Sequence, residues 1–118
     1  MRIKDTLYAK YIKEREGFDI LENDLGFVTY KINRDEKNCF IGHMYIEESV
    51  RERGNGKSLI EGLSEVALEK ECDVISASID LRDKNASLTL QAALRIGFEV
   101  FKAEYGVILI IKRLKGVK

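Results

Sequence analysis

The sequence predicts an α+β fold, a three-layer α/β/α sandwich around one mixed, mostly antiparallel sheet. Three observations predict it. The 118 residues, 45% of them hydrophobic, contain no proline, no low-complexity stretch and no internal repeat, so nothing marks a linker and one domain spanning 1–118 is expected. Periodicity along the chain reads helix, three strands, helix, strand, helix, two strands. The strand at 39–46 and the strand at 74–79 are joined through a helix, which requires a right-handed parallel crossover in an otherwise antiparallel sheet.

Each element has a local reason. Ile3, Leu7, Tyr8, Tyr11 and Ile12 recur at three- and four-residue spacing, predicting an N-terminal amphipathic helix within 1–16, stopped by Gly17. FDILE and GFVTYKI are strand-like runs either side of the turn residues Asn23 and Asp24, and NRDEKN turns the chain into CFIGHMYI, so 18–46 should form an antiparallel meander. Leu59, Leu63, Val66 and Ala67 line one face of a helix from about Gly56 to Glu71. VISASI is a short strand, and Leu88 to Ile96 is a helix closed by Gly97. FEVFK and VILIIK, joined at AEYG, complete the helix-strand-helix-strand-strand unit of 56–111; the second is apolar without alternation and belongs inside the sheet.

Charge excludes several classes of partner. Twenty basic and twenty acidic side chains leave no net charge, so neither nucleic acid nor an anionic membrane is an expected partner. Lys112, Arg113, Lys115 and Lys118 read as a solvated basic tail. The start is charged throughout and unlike a secretory signal, and no stretch approaches the ~20 apolar residues of a span. Cys39 and Cys72 form no CxxC and have no His nearby in sequence; free thiols in a reducing cytoplasm, and no metal, are expected.

Between strand and helix lies RERGNGKS, residues 51–58, whose two halves ask for different phosphate-binding devices. A nucleotide P-loop needs G-x-x-x-x-G-K-[ST]. Gly56, Lys57 and Ser58 supply its end, but its first glycine would fall on Arg51, too bulky for the turn that begins the cradle. Asp80, after VISASI, is the sole candidate for the magnesium partner of such a loop. The other device is a shorter nest. Gly54 and Gly56 open the helix, and without Cβ atoms their N–H groups can turn inward onto an anion that the helix dipole also favours. Lys57 in the first helical turn opposes the dipole unless an anion is bound. Taken alone, such a glycine pattern is equally an ordinary strand-to-helix turn.

The flanking residues carry a resemblance. MYIEESVRERGNGKSLIEGL resembles the signature of the GNAT superfamily of acyl-CoA-dependent N-acyltransferases, a strand followed by [RQ]-x-x-G-x-[GA] and a helix. Arg51, Gly54 and Gly56 fill that motif, and Ile46 ends the strand five residues before Arg51. DKNASLTLQAALRIGFEVF looks like the family's second segment, with Asn85, then a helix, then Gly97 and Phe98. The resemblance runs from about residue 18 to 111. It implies a GNAT-like fold whose parallel strands splay apart into a cofactor groove, and acetyl-CoA as cofactor. The pyrophosphate loop, 47–58, would hold coenzyme A through Arg51, Glu52, Arg53, Gly54, Asn55, Gly56, Lys57 and Ser58. The backbone of Met44, Tyr45 and Ile46 would pair with the pantetheine arm and polarise the thioester carbonyl, and Asn85 would contact the arm near its middle.

The chain also departs from the family. A Tyr often stands four residues before the glycine of Gly-Phe and protonates the leaving thiolate. Here counting back from Gly97 gives Ala93, and counting forward from Asn85 gives Ala92. Tyr105 in the last hairpin is a candidate replacement, its plain reading being an exposed structural Tyr; water can also serve. Candidates for the base that takes the amine proton are His43, the sole His, and Glu47 and Glu48. Their plain readings are a rim His and two solvated carboxylates. Strand alternation sets Phe40, Gly42, Met44 and Ile46 on one face and Cys39, Ile41, His43 and Tyr45 on the other. The bulge expected in this family would disturb that count.

The resemblance thus implies an N-acetyltransferase moving an acetyl group from acetyl-CoA to a primary amine, by direct attack in a ternary complex. The family's first strand looks missing and one helix stands where two often cover the acceptor. An open groove would suit a protein lysine or N-terminus; alternatively a second subunit, as in a homodimer, closes it. The alternative function is a non-catalytic coenzyme A-binding or interaction module of the same fold, raised by Ala92 and Ala93.

Overall fold

In chain order the elements are β1 (Arg2–Ile3), α1 (Leu7–Glu16), β2 (Asp19–Asn23), β3 (Gly26–Asn33), β4 (Asn38–Ile46), α2 (Asn55–Glu69), β5 (Val74–Asp80), α3 (Ala86–Arg95), β6 (Glu99–Glu104) and β7 (Val107–Arg113). The computed structural model describes residues 2–3, 7–23, 26–46 and 55–114. The strands form one seven-stranded sheet in the order β1-β2-β3-β4-β5-β7-β6. Neighbours are antiparallel except β4 and β5, which run parallel through the α2 crossover. Strand β7 lies between β5 and β6, which accounts for its unbroken apolar run.

Short-range chemistry sets the ends of these elements. The Asn23 side chain accepts the Gly26 N–H at 3.0 Å in the β2–β3 turn, and Asn33 accepts that of Glu36 at 3.1 Å in the next. Helix α3 ends at Gly97, with φ at 104°. A Cβ there would also lie 2.5 Å from Lys112 Nζ, the ammonium that donates to the Ile96 carbonyl at 2.9 Å. One glycine therefore turns the chain and admits the cation that caps the helix. Tyr105 and Gly106, with φ of 55° and 77°, close the β6–β7 hairpin as a two-residue turn of the hand that matches strand twist.

The main core lies on one face of the sheet. Leu59, Leu63 and Ala67 of α2 and Ala86 and Ala93 of α3 form a single buried cluster with Val28, Tyr30, Cys39, Ile75, Ile79 and Ile110. Fully buried residues such as Leu59 and Leu63 contribute roughly 1.5–3 kcal/mol each relative to exposure. On the other face α1 packs against β2, and Ile20, which points away from α2, is only 2% exposed. Helices therefore flank the sheet, as expected.

Four expectations are corrected. The helix begins at Leu7 rather than near Ile3, and the first strand is present: Arg2 and Ile3 pair with Glu22 and Leu21. A two-residue strand has no periodicity to read, and its identity comes from a partner twenty residues away. The turn placed at AEYG is only Tyr105–Gly106, because β6 runs on to Glu104. The faces of β4 hold only as far as Ile41, for the reason given next.

Candidate functional site

The register of β3 and β4 slips in the middle of the sheet. Val28 pairs with Met44 and Tyr30 with Ile41, so Thr29 alone stands opposite both Gly42 and His43. This is a β-bulge, with β4 carrying the extra residue. Its additional amide is satisfied: the His43 N–H donates to Thr29 Oγ1 at 2.8 Å. Gly42 is required because the Phe18 ring presses on the backbone; a Cβ would fall 1.8 Å from Phe18 Cε2 and 2.8 Å from Thr29 Oγ1. The bulge also resets the faces. Cys39 and Ile41 point to the α2 core, and after the slip Met44 does so, while His43 and Tyr45 turn to the opposite face. Alternation without a bulge placed Met44 opposite Cys39 and Ile41; the extra residue overturns that.

Beside the bulge the sheet forks. Strands β4 and β5 share three rungs, Asn38↔Val74, Cys39↔Ile75 and Phe40↔Ser76, and none beyond. Below the divergence Ser76 Oγ donates to Asn38 Oδ1 at 2.8 Å, a diagonal side-chain clasp from the last rung on β5 to the first on β4. Above it β4 stays paired with β3 as far as Ile46, and β5 with β7 as far as Asp80. Because the His43 amide points to β3, strand alternation turns the amides of Met44 and Ile46 toward the withdrawn β5. The parallel pair therefore opens into a groove lined on one side by backbone donors.

The first turn of α2 stands at that opening. A Cβ on Gly56 would lie 3.3 Å from Met44 Cε, so the Met44 side chain reaches the start of the helix. The turn has no acidic residue, and Lys57 and Ser58 are exposed. An anion would relieve Lys57 at the positive end of the dipole. Asn55 begins α2. Arg51, Glu52, Arg53 and Gly54 of the expected pyrophosphate loop, and the candidate bases Glu47 and Glu48, lie outside the described residues.

The remaining candidates occupy the same end of the sheet. Asn85 sits at the start of α3 and is exposed; its N–H donates to Asp83 Oδ1 at 2.8 Å, and its side chain makes no capping bond. The Leu81 N–H donates to the Gly106 carbonyl at 2.8 Å, tying the β6–β7 turn to the end of β5. Tyr105 is therefore at the right end, but at 96% exposure its phenol projects into solvent. Of the two alanines, Ala93 faces the core and Ala92 is exposed. Asp80 accepts two bonds from the Arg82 guanidinium, at 3.0 and 2.7 Å. Those bonds, with one from the Arg82 amide, hold its carboxyl down at about 2. Among the described residues no group of His, Cys, Asp and Glu could hold a metal, and no helix is long and apolar enough to cross a membrane.

Sequence reasoning missed Thr29, Phe18, Asn38 and Ser76, which build the bulge and the fork. One signal was available: Gly42 inside a strand pattern marks a bulge or a close approach, and here it marks both.

A strand pair that forks beside a bulge, with a helix N-terminus at the mouth, is the arrangement the acyl-CoA resemblance implied, and comparison with known proteins agrees. Residues 2–98 match the model of the acetyltransferase (GNAT) family. The chain belongs to that family. Among solved structures it resembles the PaiA N-acetyltransferase of Thermoplasma acidophilum in complex with coenzyme A, at TM-score 0.68 and 16% identity over 86% of this chain and 65% of that one. The IAA acetyltransferase of Bacillus cereus gives TM-score 0.68 and 16% identity, over 94% of this chain and 85% of that one. Nourseothricin acetyltransferase gives TM-score 0.64 and 14% identity over 75% of this chain, which spans 57% of its length. At such identities the likeness is one of fold. No curated protein matches the sequence.

Proposed function

We propose that the protein is an N-acetyltransferase moving the acetyl group of acetyl-CoA to a primary amine in a ternary complex, by direct attack of the amine. The observation that carries this reading is the fork, three rungs of β4–β5 pairing and then a groove with α2 at its mouth. These residues fit the cofactor. Gly56, Lys57 and Ser58, with the loop Arg51 to Asn55, would hold the pyrophosphate. The backbone of Met44, Tyr45 and Ile46 would pair with the pantetheine arm, and Asn85 would contact it. Acetyl-CoA, when bound, supplies an activated acyl thioester.

The chain's own contribution is orientation and proton handling. The Met44 amide is the donor we assign to the thioester carbonyl. His43 is exposed on the face away from α2, and we give it the role of taking the amine proton, with Glu47 and Glu48 as the other candidates. Water protonates the leaving thiolate in this scheme, with Tyr105 as the alternative donor. Holding amine and thioester together supplies much of the rate without an acid in the family's usual place. A peptide lysine or N-terminus as acceptor rested on two features; β1 removes one of them, and the other, one helix, α1, before β2 among the described residues, remains.

A second reading, a coenzyme A-binding module without catalysis, rests on Ala92 and Ala93 where the family often has Tyr. Thermal shift followed by thiol release over an amine panel separates these. Stabilisation by coenzyme A with amine-dependent thiol release supports the enzyme, and stabilisation without release favours the module. Stabilisation by ATP with magnesium but not by coenzyme A returns the loop to the nucleotide reading.

A further inference from the structure

Residues 81–85, between β5 and α3, are held by one kind of turn used twice. The Arg82 N–H donates to Asp80 Oδ1 at 2.9 Å, and the Asp83 N–H to the Asp80 carbonyl at 3.0 Å. Three residues on, the Asn85 N–H donates to Asp83 Oδ1 at 2.8 Å, and the Ala86 N–H to the Asp83 carbonyl at 3.0 Å. Each aspartate thus takes the amide two residues ahead on its side chain and the amide three ahead on its carbonyl, the arrangement that favours Asp at the first position of a turn. The Arg82 guanidinium grips the Asp80 carboxylate and the Leu81 N–H is bonded to Gly106, so the chain leaves the fork along a fixed path. That path delivers Asn85 on the α2 side of the sheet, because Ala86 beside it is buried in the cluster that contains Leu59. Asn85 has φ −99° and ψ 9°, as the third residue of such a turn does. An Asn that begins a helix commonly caps it, with extended backbone and its side-chain oxygen on an amide of the first turn. Asn85 does not: its carboxamide caps nothing and stands exposed.

Resting on the cofactor reading given above, we propose that Asp83 is a positioning residue for coenzyme A: it caps α3 in place of Asn85 and so keeps the Asn85 carboxamide free for the pantetheine arm. The division of labour follows the chemistry of the two side chains. A carboxylate is the better group at the positive end of a helix. A carboxamide both donates and accepts, which matches the amides of the arm. For Asn85 to cap its own helix, it would have to release the Asp83 bond and extend its backbone. Capping and holding a ligand are therefore exclusive for this side chain, and the bond to Asp83 selects the second before any cofactor arrives. The segment is ordered in advance, so binding does not have to order it.

The test is calorimetric binding of coenzyme A and of 3′-phospho-ADP, which keeps the pyrophosphate and lacks the arm. Asp83→Ala should weaken coenzyme A binding at least about tenfold and 3′-phospho-ADP binding by less than about twofold. Asp83→Asn keeps a side-chain acceptor and should bind coenzyme A within about threefold of the native protein. Asp83→Ala combined with Asn85→Ala should bind coenzyme A as Asn85→Ala alone does, because Asp83 acts through that side chain. Asp83→Gly, better tolerated than Ala where a helix begins, carries the test if Asp83→Ala does not fold. Equal loss for both ligands, additive losses in the double variant, or an Asp83→Asn as weak as Asp83→Ala overturns the inference. Coenzyme A bound equally well by the native protein and by Asn85→Ala overturns it too, and leaves the cofactor reading standing. Failure of the native protein to bind coenzyme A overturns the proposed function, and this inference with it.

Discussion

Thr29 Oγ1 accepts the His43 N–H at 2.8 Å, and this bond between a side chain and a displaced backbone allows β4 to hold one residue more than β3. Thr29→Val keeps the shape and removes the acceptor. Leaving that amide without a partner should cost about 1–3 kcal/mol in a denaturant titration. Coenzyme A affinity should fall as well, because the groove-facing amides that follow the bulge lose their alignment. Thr29→Ser retains the hydroxyl and should stay close to the native protein. Equal loss in both variants would assign the effect to the methyl group.

Gly42 and Phe18 are mutually dependent, since a Cβ on Gly42 would overlap the Phe18 ring. Gly42→Ala should destabilise the protein by about 1–3 kcal/mol. Combined with Phe18→Leu it should cost less than the sum of the single changes, with a coupling of about 0.5–3 kcal/mol. Chemical denaturation of the four proteins completes the cycle, and simple additivity refutes the contact.

Gly56 offers a contrasting case. Its φ is not in the left-handed region, and its nearest neighbour is the flexible tip of Met44 at 3.3 Å. Gly56→Val should therefore leave stability within about 1 kcal/mol. The added methyls stand where the anion would approach the helix amides, so coenzyme A affinity should drop at least about tenfold. Unchanged affinity, measured calorimetrically, would remove the basis for placing the pyrophosphate there.

Burial, with the nearby Cys72, pushes the Cys39 thiol up to about 12. Burial, then the Asp19 carboxylate, lifts the Tyr30 phenol to about 12 as well. Both folded values exceed those of the unfolded chain, about 8.5 and about 10. Their stabilising effect is therefore complete below about pH 8.5 and is lost as pH rises toward 12. Calorimetric Tm should be flat near neutrality and fall above about pH 9. In the same experiment at about pH 8, iodoacetamide should modify neither thiol until the protein unfolds. Rapid labelling of the native protein would show that one of them is reachable.

Legibility followed the range of the interactions. Elements fixed by local periodicity or punctuation, such as α2, β5 and the Gly97 stop, could be read within a residue or two. So could the parallel pair, because a helix between two strands leaves little topological choice. Arg2–Ile3 could not, since only pairing with β2 makes it a strand. The direction of Met44 and Tyr45 was equally hidden. It depends on where one register slips, and that depends on a Thr on the neighbouring strand and a Phe beyond it. The motif residues around Gly56 pointed to the cofactor, whereas the face of the fork away from α2 is assembled from residues on β2, β3, β4 and β5 that form no pattern along the chain.

The clasp between Ser76 and Asn38 turns the sheet into a measuring device. The closed part of the parallel pair ends at Phe40 and Ser76, so anything held in the fork stops above that rung. Each further rung that opened or closed would move that stop by roughly 3.3 Å, more than the length of two carbon–carbon bonds. The end of the closed sheet is thereby tied to a hydrogen bond between two short polar side chains, apart from the amides that line the groove.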